Sequence, residues 1–298
     1  MVSYQLSPYG QAALMALSAY FLFSCADALA KMLSNKYPLA LILFIPSCVA
    51  LLGAVIRIFL SKGIQGFVTS NIKLHMIRGL IMVCFVFLCV SSLRMIPLAD
   101  FYAIIFLSPF IVMCLSVFLY KEPIFWPRLW VLIVSFVGVV ITIGPHFMNL
   151  NWGYLAVSIA VMFGALNIML VRKIGRDEYP PLFGFFPLLC VSLVSLPFAL
   201  PQILVTDIPQ GDMVLFLFYG LALMGAHSLL PTAFARTPSV AKLTPLHYSQ
   251  MVWGILAGIV IFHEPFQMNV MIGGGLIIGS GIWLFFAERR LTQTLNKK

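Results

Sequence analysis

The sequence predicts an all-α integral membrane fold: ten transmembrane helices arranged as two inverted five-helix repeats. Three observations carry this. The chain of 298 residues is 62% hydrophobic and 9% charged, with mean hydropathy +1.05, whereas a soluble domain carries about 25% charge. Apolar stretches of about 20 residues, the length a bilayer demands, follow one another with short connections. Finally, rare residues at span ends recur at an offset of 142 residues. Arg94 pairs with Arg236, and Glu122-Pro123 with Glu264-Pro265. Lys31 pairs with Lys173, Tyr37-Pro38 with Tyr179-Pro180, and Ala99 with Ala241. Each copy holds an odd number of spans, so the second must insert upside down, the arrangement of carriers with a central site.

The spans are expected near 12–32, 38–60, 74–94, 97–120 and 126–144 in the first repeat (12–144). In the second (152–287) they fall near 152–172, 180–204, 213–235, 239–262 and 268–287. Helices follow because lipid offers no partner to an unpaired backbone group. A barrel would need alternating strands of about ten residues, and Leu80–Val90 shows no alternation. Met1–Gly10 lacks a basic n-region, so the first span is expected to stay as a helix. Asn149-Leu150-Asn151 separates the halves, and Thr206–Gly211 is a turn-rich link.

Charge supplies orientation. Alternating spans place Arg57, Lys62, Lys73, Arg78, Lys121, Arg128, Arg172, Lys173, Arg176, Arg236, Lys242, Arg289, Arg290, Lys297 and Lys298 on one side, 15 in all. Lys31, Lys36 and Arg94, 3 in all, fall on the other. The positive-inside rule then expects both termini in the cytoplasm of a multi-pass inner (cytoplasmic) membrane protein. The net charge of +9 forms no stripe for nucleic acid, so none is expected as a partner. The six cysteines all lie in apolar spans without metal-type spacing and read as small buried hydrophobes. No metal, cofactor or catalytic constellation is expected.

Three stretches carry a family resemblance. Ile96-Pro97-Leu98-Ala99-Asp100 with Leu107-Ser108-Pro109 looks like the opening of a fourth helix. Lys121-Glu122-Pro123 with Gly138-Val139-Val140 looks like the following Glu-Pro junction and fifth helix. Thr237 to Pro245, then Tyr248, Trp253, Gly254 and Glu264-Pro265, looks like a ninth helix. The chain thus resembles the drug/metabolite transporter superfamily in its ten-helix EamA branch over nearly its whole length. Lys121 and His263 stand where the family pattern carries Gly. The resemblance implies a central cavity lined by helices 1, 3, 4, 6, 8 and 9. It is specific for transport and poor for substrate, since members move amino acids, nucleotide-like metabolites, vitamins and drugs.

The first helix spaces Tyr20, Ser24, Asp27 and Lys31 along one face. An acid within a span suggests a pathway or a coupling proton; the alternative is a structural Asp27–Lys31 pair near the interface. The ninth helix places Thr244, His247, Tyr248 and Met251 on one face, with Gln250 and Trp253 nearby. Ile105 and Phe106 match His247 and Tyr248 in the first copy, and Phe85 matches His227. Polarity in one copy only suggests a site built there; the alternative for each His is a bond to a neighbouring helix. Glu122 and Glu264 read as helix ends beside Pro, or as gate residues with Lys121 or Arg128 on one face and Arg94 on the other. Pro46, Pro109, Pro187, Pro197, Pro231 and Pro245 lie inside spans and allow kinks. Gly254 and Gly258 suit close helix packing.

The expected binding side chains are therefore Tyr20, Ser24, Tyr102, Asn167, His227, His247, Tyr248 and Trp253. Asp27, Arg94, Glu122 and Glu264 are coupling or gate candidates. Aromatic faces and a few directional polar groups suit an amino acid, a vitamin or a nucleoside-like compound such as S-adenosylmethionine. The function expected is alternating-access transport rather than enzymology. A membrane-embedded enzyme acting on lipid, or a channel, is the alternative. A homodimer and a coupling proton or counter-substrate are left open.

Overall fold

The structure, a computed structural model, describes residues 8–121, 126–144, 149, 151–175, 177–236, 243–265 and 267–295. Among the described residues every regular element is helical. The first half holds α1 (Pro8–Ser34), α2 (Leu39–Lys62), a 3-10 turn (Gly63–Phe67), α3 (Ile72–Leu93), α4 (Leu98–Ile105), α5 (Ser108–Tyr120) and α6 (Trp126–Ile143). The second holds α7 (Trp152–Ile174), α8 (Leu182–Val205), α9 (Gln210–Arg236), a 3-10 turn (Thr244–Tyr248), α10 (Ser249–Phe262) and α11 (Met268–Leu295). Among the described residues six helices, α1, α2, α3, α7, α8 and α9, are long and apolar enough to cross a membrane. The shorter α4 and α5 follow one another as a broken fourth span, and the 3-10 turn with α10 forms a broken ninth.

The breaks come at Phe106-Leu107 and at Tyr248-Ser249, one repeat length apart. Pro109 and Pro245 stand in the first turn after a helix start, where a missing N–H costs nothing. They therefore mark helix starts rather than kinks inside continuous spans. Pro46, Pro187, Pro197 and Pro231 do lie within helices. The two non-glycine residues with positive φ among the described residues are Lys121 (52°) and His263 (53°), again one repeat apart. Each ends a helix in the left-handed conformation that closes the last turn. The Glu264 N–H returns to Gly258 O at 3.0 Å. Glycine suits such a position because it has no Cβ to clash, which explains the family preference at these two sites.

The halves interlock as repeat partners. Helix α1 packs on α9 as α7 packs on α3, and α2 on α9 as α8 on α3. Helices α2 and α8 meet each other, as do α6 and α11, so these pairs flank the pseudo-two-fold axis. Ser47 accepts from Ser192 at 2.9 Å, and Ser135 and Ser280 share a bond of 2.8 Å. Where α6 crosses α11, a Cβ on Gly273 would run into Thr142 Oγ1 and Gly138 O, so the close approach depends on Gly273 having no side chain.

Loop contacts define the two ends. At the far end, where α1 finishes, Lys36 Nζ and Tyr37 OH donate to Asp212 at the start of α9, at 2.8 and 2.6 Å. The Asp212 carboxylate beside it pushes the Tyr37 phenol up to about 12. Asn151 Nδ2 donates to Met95 O at the same end. At the near end, where α1 begins, Glu178 accepts from Thr69 Oγ1 (2.7 Å) and Asn71 Nδ2 (3.1 Å) at the start of α3. Partial burial opposes its charge, but these bonds hold its carboxyl below the usual range. Lys31 and Lys173 consequently lie at opposite ends, as inverted repeats require.

Candidate substrate site

The centre of the molecule is built where α1 faces the two broken spans. Helix α1 presents Tyr20, Ser24, Asp27 and Lys31 on one side because its residues repeat every 3.6 positions. Tyr102 OH, fully buried on α4, donates to Asp27 Oδ2 at 2.7 Å. Gln250 Nε2, in the first turn of α10, donates to the same oxygen at 3.3 Å. Ser24 Oγ donates to Gln250 O at 3.0 Å, tying α1 to the start of α10. Among the described residues the partners of Asp27, Tyr102 and Gln250, are neutral, so its carboxylate is oriented without being neutralised. Gly254 gives Tyr102 its place: a Cβ there would stand 1.8 Å from the Tyr102 ring.

Two turns along α1 from Asp27, Tyr20 begins an aromatic series. Its ring stacks on His247 at 4.9 Å, and His247 lies 5.0 Å from Phe106. Phe106 stacks in turn on Tyr248 at 5.3 Å and 24°. Phe106 and Tyr248 are repeat equivalents, so the two broken spans meet through matching positions. A carboxylate next to stacked rings can hold a cationic group and a flat ring system together.

Lys31 does not pair with Asp27. Its ammonium donates to Glu264 Oε1 at 2.6 Å and to Ile96 O at 2.8 Å, and lies over the Phe262 ring at 5.0 Å. Glu264 also accepts from Leu98 N at 3.1 Å, satisfying a free N–H at the first turn of α4. In place of the alternative Asp27–Lys31 pair, a Lys31–Glu264 bridge joins α1, α4 and the end of α10. Arg94, the gate partner in the alternative reading of Glu264, is exposed at the end of α3. Glu122 lies outside the described residues.

Three expected residues stand apart from this centre. Trp253 is 39% exposed and meets Phe21 edge-on on the outer surface of the bundle. It lies two residues beyond Met251, which turns it away from the buried face. Asn167 sits on α7 with its Oδ1 buried and, among the described residues, without a hydrogen-bond partner, so it is not joined to the Asp27 group. His227 packs edge-on against Phe23 and lines a separate recess with Arg57. Gln250, by contrast, is more central than its sequence context suggests.

The EamA-like transporter family model matches this chain twice, over residues 10–144 and 151–286. This chain belongs to the EamA-like transporter family. It is a multi-pass membrane transporter of small metabolites rather than an enzyme. An S-adenosylmethionine uptake transporter of Rickettsia conorii is 26% identical to this EamA-like chain, covering 92% of it and 91% of the relative. A pseudopaline exporter of Pseudomonas aeruginosa is 23% identical over 89% and 92% of the two chains. A riboflavin transporter of Brucella anthropi is 22% identical over 87% and 88%. A solved crystal structure superposes with a TM-score of 0.67 over 94% of this chain and 98% of the other. At 18% identity that likeness speaks for the fold alone.

Proposed function

We propose that this EamA-like protein is a secondary carrier of a ring-bearing organic cation or zwitterion, with S-adenosylmethionine as the leading candidate. The observation that carries this reading is the Asp27 carboxylate, oriented by Tyr102 and Gln250 and set beside the Tyr20–His247–Phe106–Tyr248 series. S-adenosylmethionine offers an ammonium, a sulfonium and an adenine ring, which match a carboxylate and stacked aromatics. The similarity to uptake transporters of that compound supports the choice. The carrier works by alternating access in the inner membrane, with Lys31–Glu264 as a bridge at the far end that breaks when that end opens. Both termini face the cytoplasm, by the excess of Lys and Arg on their side.

Uptake of radiolabelled S-adenosylmethionine into proteoliposomes tests the reading. Saturable uptake that falls in Asp27→Asn is expected; uptake equal to empty liposomes sinks it. Asp27 also serves as a site for a coupling proton, since a carboxylate with neutral partners gains or loses a proton without breaking an ion pair. An imposed pH gradient that leaves uptake unchanged argues against that role. Cysteine labelling places Asn149 outside and Arg176 inside, and the reverse pattern overturns the orientation.

A further inference from the structure

The polar centre leaves one large opening unexplained, and it faces outwards. Helix α4 packs on both α6 and α7, and between those two helices a groove of about 820 Å³, mouth included, opens on the surface of the bundle. Val139 and Ile143 of α6, Ile104 of α4 and Tyr154 of α7 are buried and form its floor. Phe136 and Val140 of α6 and Leu155 of α7 stand exposed along its rim. The repeat equivalent of Val139 is Gly281, where a Cβ would run into the Tyr248 ring, so the matching wall of the second copy is covered by protein.

The polar groups of the groove are already engaged within the protein. Tyr154 OH donates to Asp100 Oδ2 at 2.5 Å, and Ser158 Oγ donates to Tyr154 O at 2.8 Å. Asn151 accepts from Gly153 N and donates to Met95 O. A polar solute leaving water gains little from such a lining, whereas hydrocarbon loses nothing. From Asn151 to Ser158 helix α7 rises about 10 Å, two-thirds of the roughly 15 Å depth of one leaflet's hydrocarbon.

The groove reaches the far end at Asn151, beside the exposed Trp152, an aromatic of the kind that settles at a membrane–water boundary. Arg94 is exposed at this corner, next to the Met95 that Asn151 holds. Three lysines and arginines fall at this end by sequence: Lys31, Lys36 and Arg94. Lys31 is bridged to Glu264 and Lys36 to Asp212. Among the described residues Arg94 has no such partner.

We propose that the groove holds one phospholipid of the far leaflet, with an acyl chain between α6 and α7 and its phosphate at Arg94. The acyl chain crosses Ile104 and Leu107, which flank the break in the fourth span, and so props α4 where the helix is interrupted. The assignment needs only that the chain spans a membrane, so it stands apart from the choice of solute.

The test uses the full chain in detergent with added phosphatidylglycerol. Native mass spectrometry should show one lipid per chain that outlasts any others as collision energy rises. Leu155→Trp fills the groove from an exposed position and should remove that lipid. Val140→Trp, on the facing rim, serves should the first variant fail to fold. Arg94→Gln should weaken phosphatidylglycerol about fivefold and leave dioleoylglycerol, which has the chains without the phosphate, unchanged. Equal retention in wild type and both tryptophan variants overturns the site, because the lipid then sits elsewhere on the surface. Arg94→Gln acting on neither lipid, or on both alike, overturns the phosphate contact. A dimer that Leu155→Trp disperses, with no lipid retained by the wild type, gives the groove to a second copy and overturns the lipid.

Discussion

The fourth and ninth spans turn and end at matching positions and differ in chemistry. Both break at matching positions, Phe106-Leu107 and Tyr248-Ser249, and both end on a left-handed residue, Lys121 and His263. Yet the fourth contributes Ile105 and Phe106 where the ninth contributes His247 and Tyr248. The asymmetry extends to the helices facing them: α1 carries Asp27, and α7 carries the buried Met169 at the matching position. Duplication thus supplies a symmetric frame of broken helices, whose free backbone ends are tolerable only where they line a cavity or are capped by side chains. Polar chemistry was then invested in one copy, around α1 and α10. The end latches follow the same rule with reversed charge: Lys36 and Tyr37 hold Asp212, whereas Glu178 accepts from Thr69 and Asn71.

The largest expected effect concerns the Lys31–Glu264 bridge, whose side chains are 11% and 17% exposed. Lys31→Met leaves Glu264 with Leu98 N alone and should cost about 3 kcal/mol, since removing one partner strands the other charge. Adding Glu264→Gln to Lys31→Met should recover much of the loss in melting temperature. Strictly additive losses would mean that the two residues act separately.

Next comes the acid itself. Asp27→Asn keeps the shape of the side chain but removes the charge that Tyr102 and Gln250 orient. Charge-assisted bonds are worth about 1.5–3 kcal/mol, so uptake should fall roughly 10- to 100-fold at equal reconstitution. Met169→Asp, placed in the second copy, should not rescue it. Rescue would show that the two halves are chemically interchangeable and would break the comparison.

A smaller effect distinguishes the two broken spans directly. His247→Ile gives the ninth span the residue of the fourth and removes the ring between Tyr20 and Phe106. Uptake should fall about 5- to 10-fold, the loss of roughly 1 kcal/mol or slightly more of ring contact. Ile105→His in the fourth should leave affinity for the solute within about twofold, a change near the scale of thermal energy. Equal losses in both would mean that His247 only packs.

The sequence exposed the frame more readily than the site, for physical reasons. A span must hold about 20 apolar residues, so span positions and count stand out in hydropathy. The partner of Lys31 lies 233 residues away on Glu264, and its pairing depends on how α1 and the end of α10 are rotated, which spacing along one helix does not encode. Local periodicity correctly grouped Ser24, Asp27 and Lys31 on one face, but it offered the nearest opposite charge as a partner. Trp253 was drawn in by composition although it lies across the helix from Met251. The breaks at Phe106 and Tyr248 were hidden inside apolar runs, where Pro109 and Pro245 read as kinks.

The smallest effect tests the frame alone. Lys121 and His263 both hold φ near 50° with exposed side chains. An L-residue in that conformation brings Cβ close to the following carbonyl, at a cost of about 1–2 kcal/mol. Glycine removes the clash but loses more backbone freedom on folding, by roughly 0.5–1 kcal/mol. The net gain expected for His263→Gly is therefore about 0.5–1 kcal/mol, a rise of about 1–3 °C in melting temperature. Lys121→Gly should give a rise of the same size, because the two positions are related by the repeat, and transport should be unchanged in both. Proline at either position should instead lower stability sharply, since it cannot adopt positive φ. Gain at one position and loss at the other would show that the two junctions, alike in backbone, carry different loads in the folded protein.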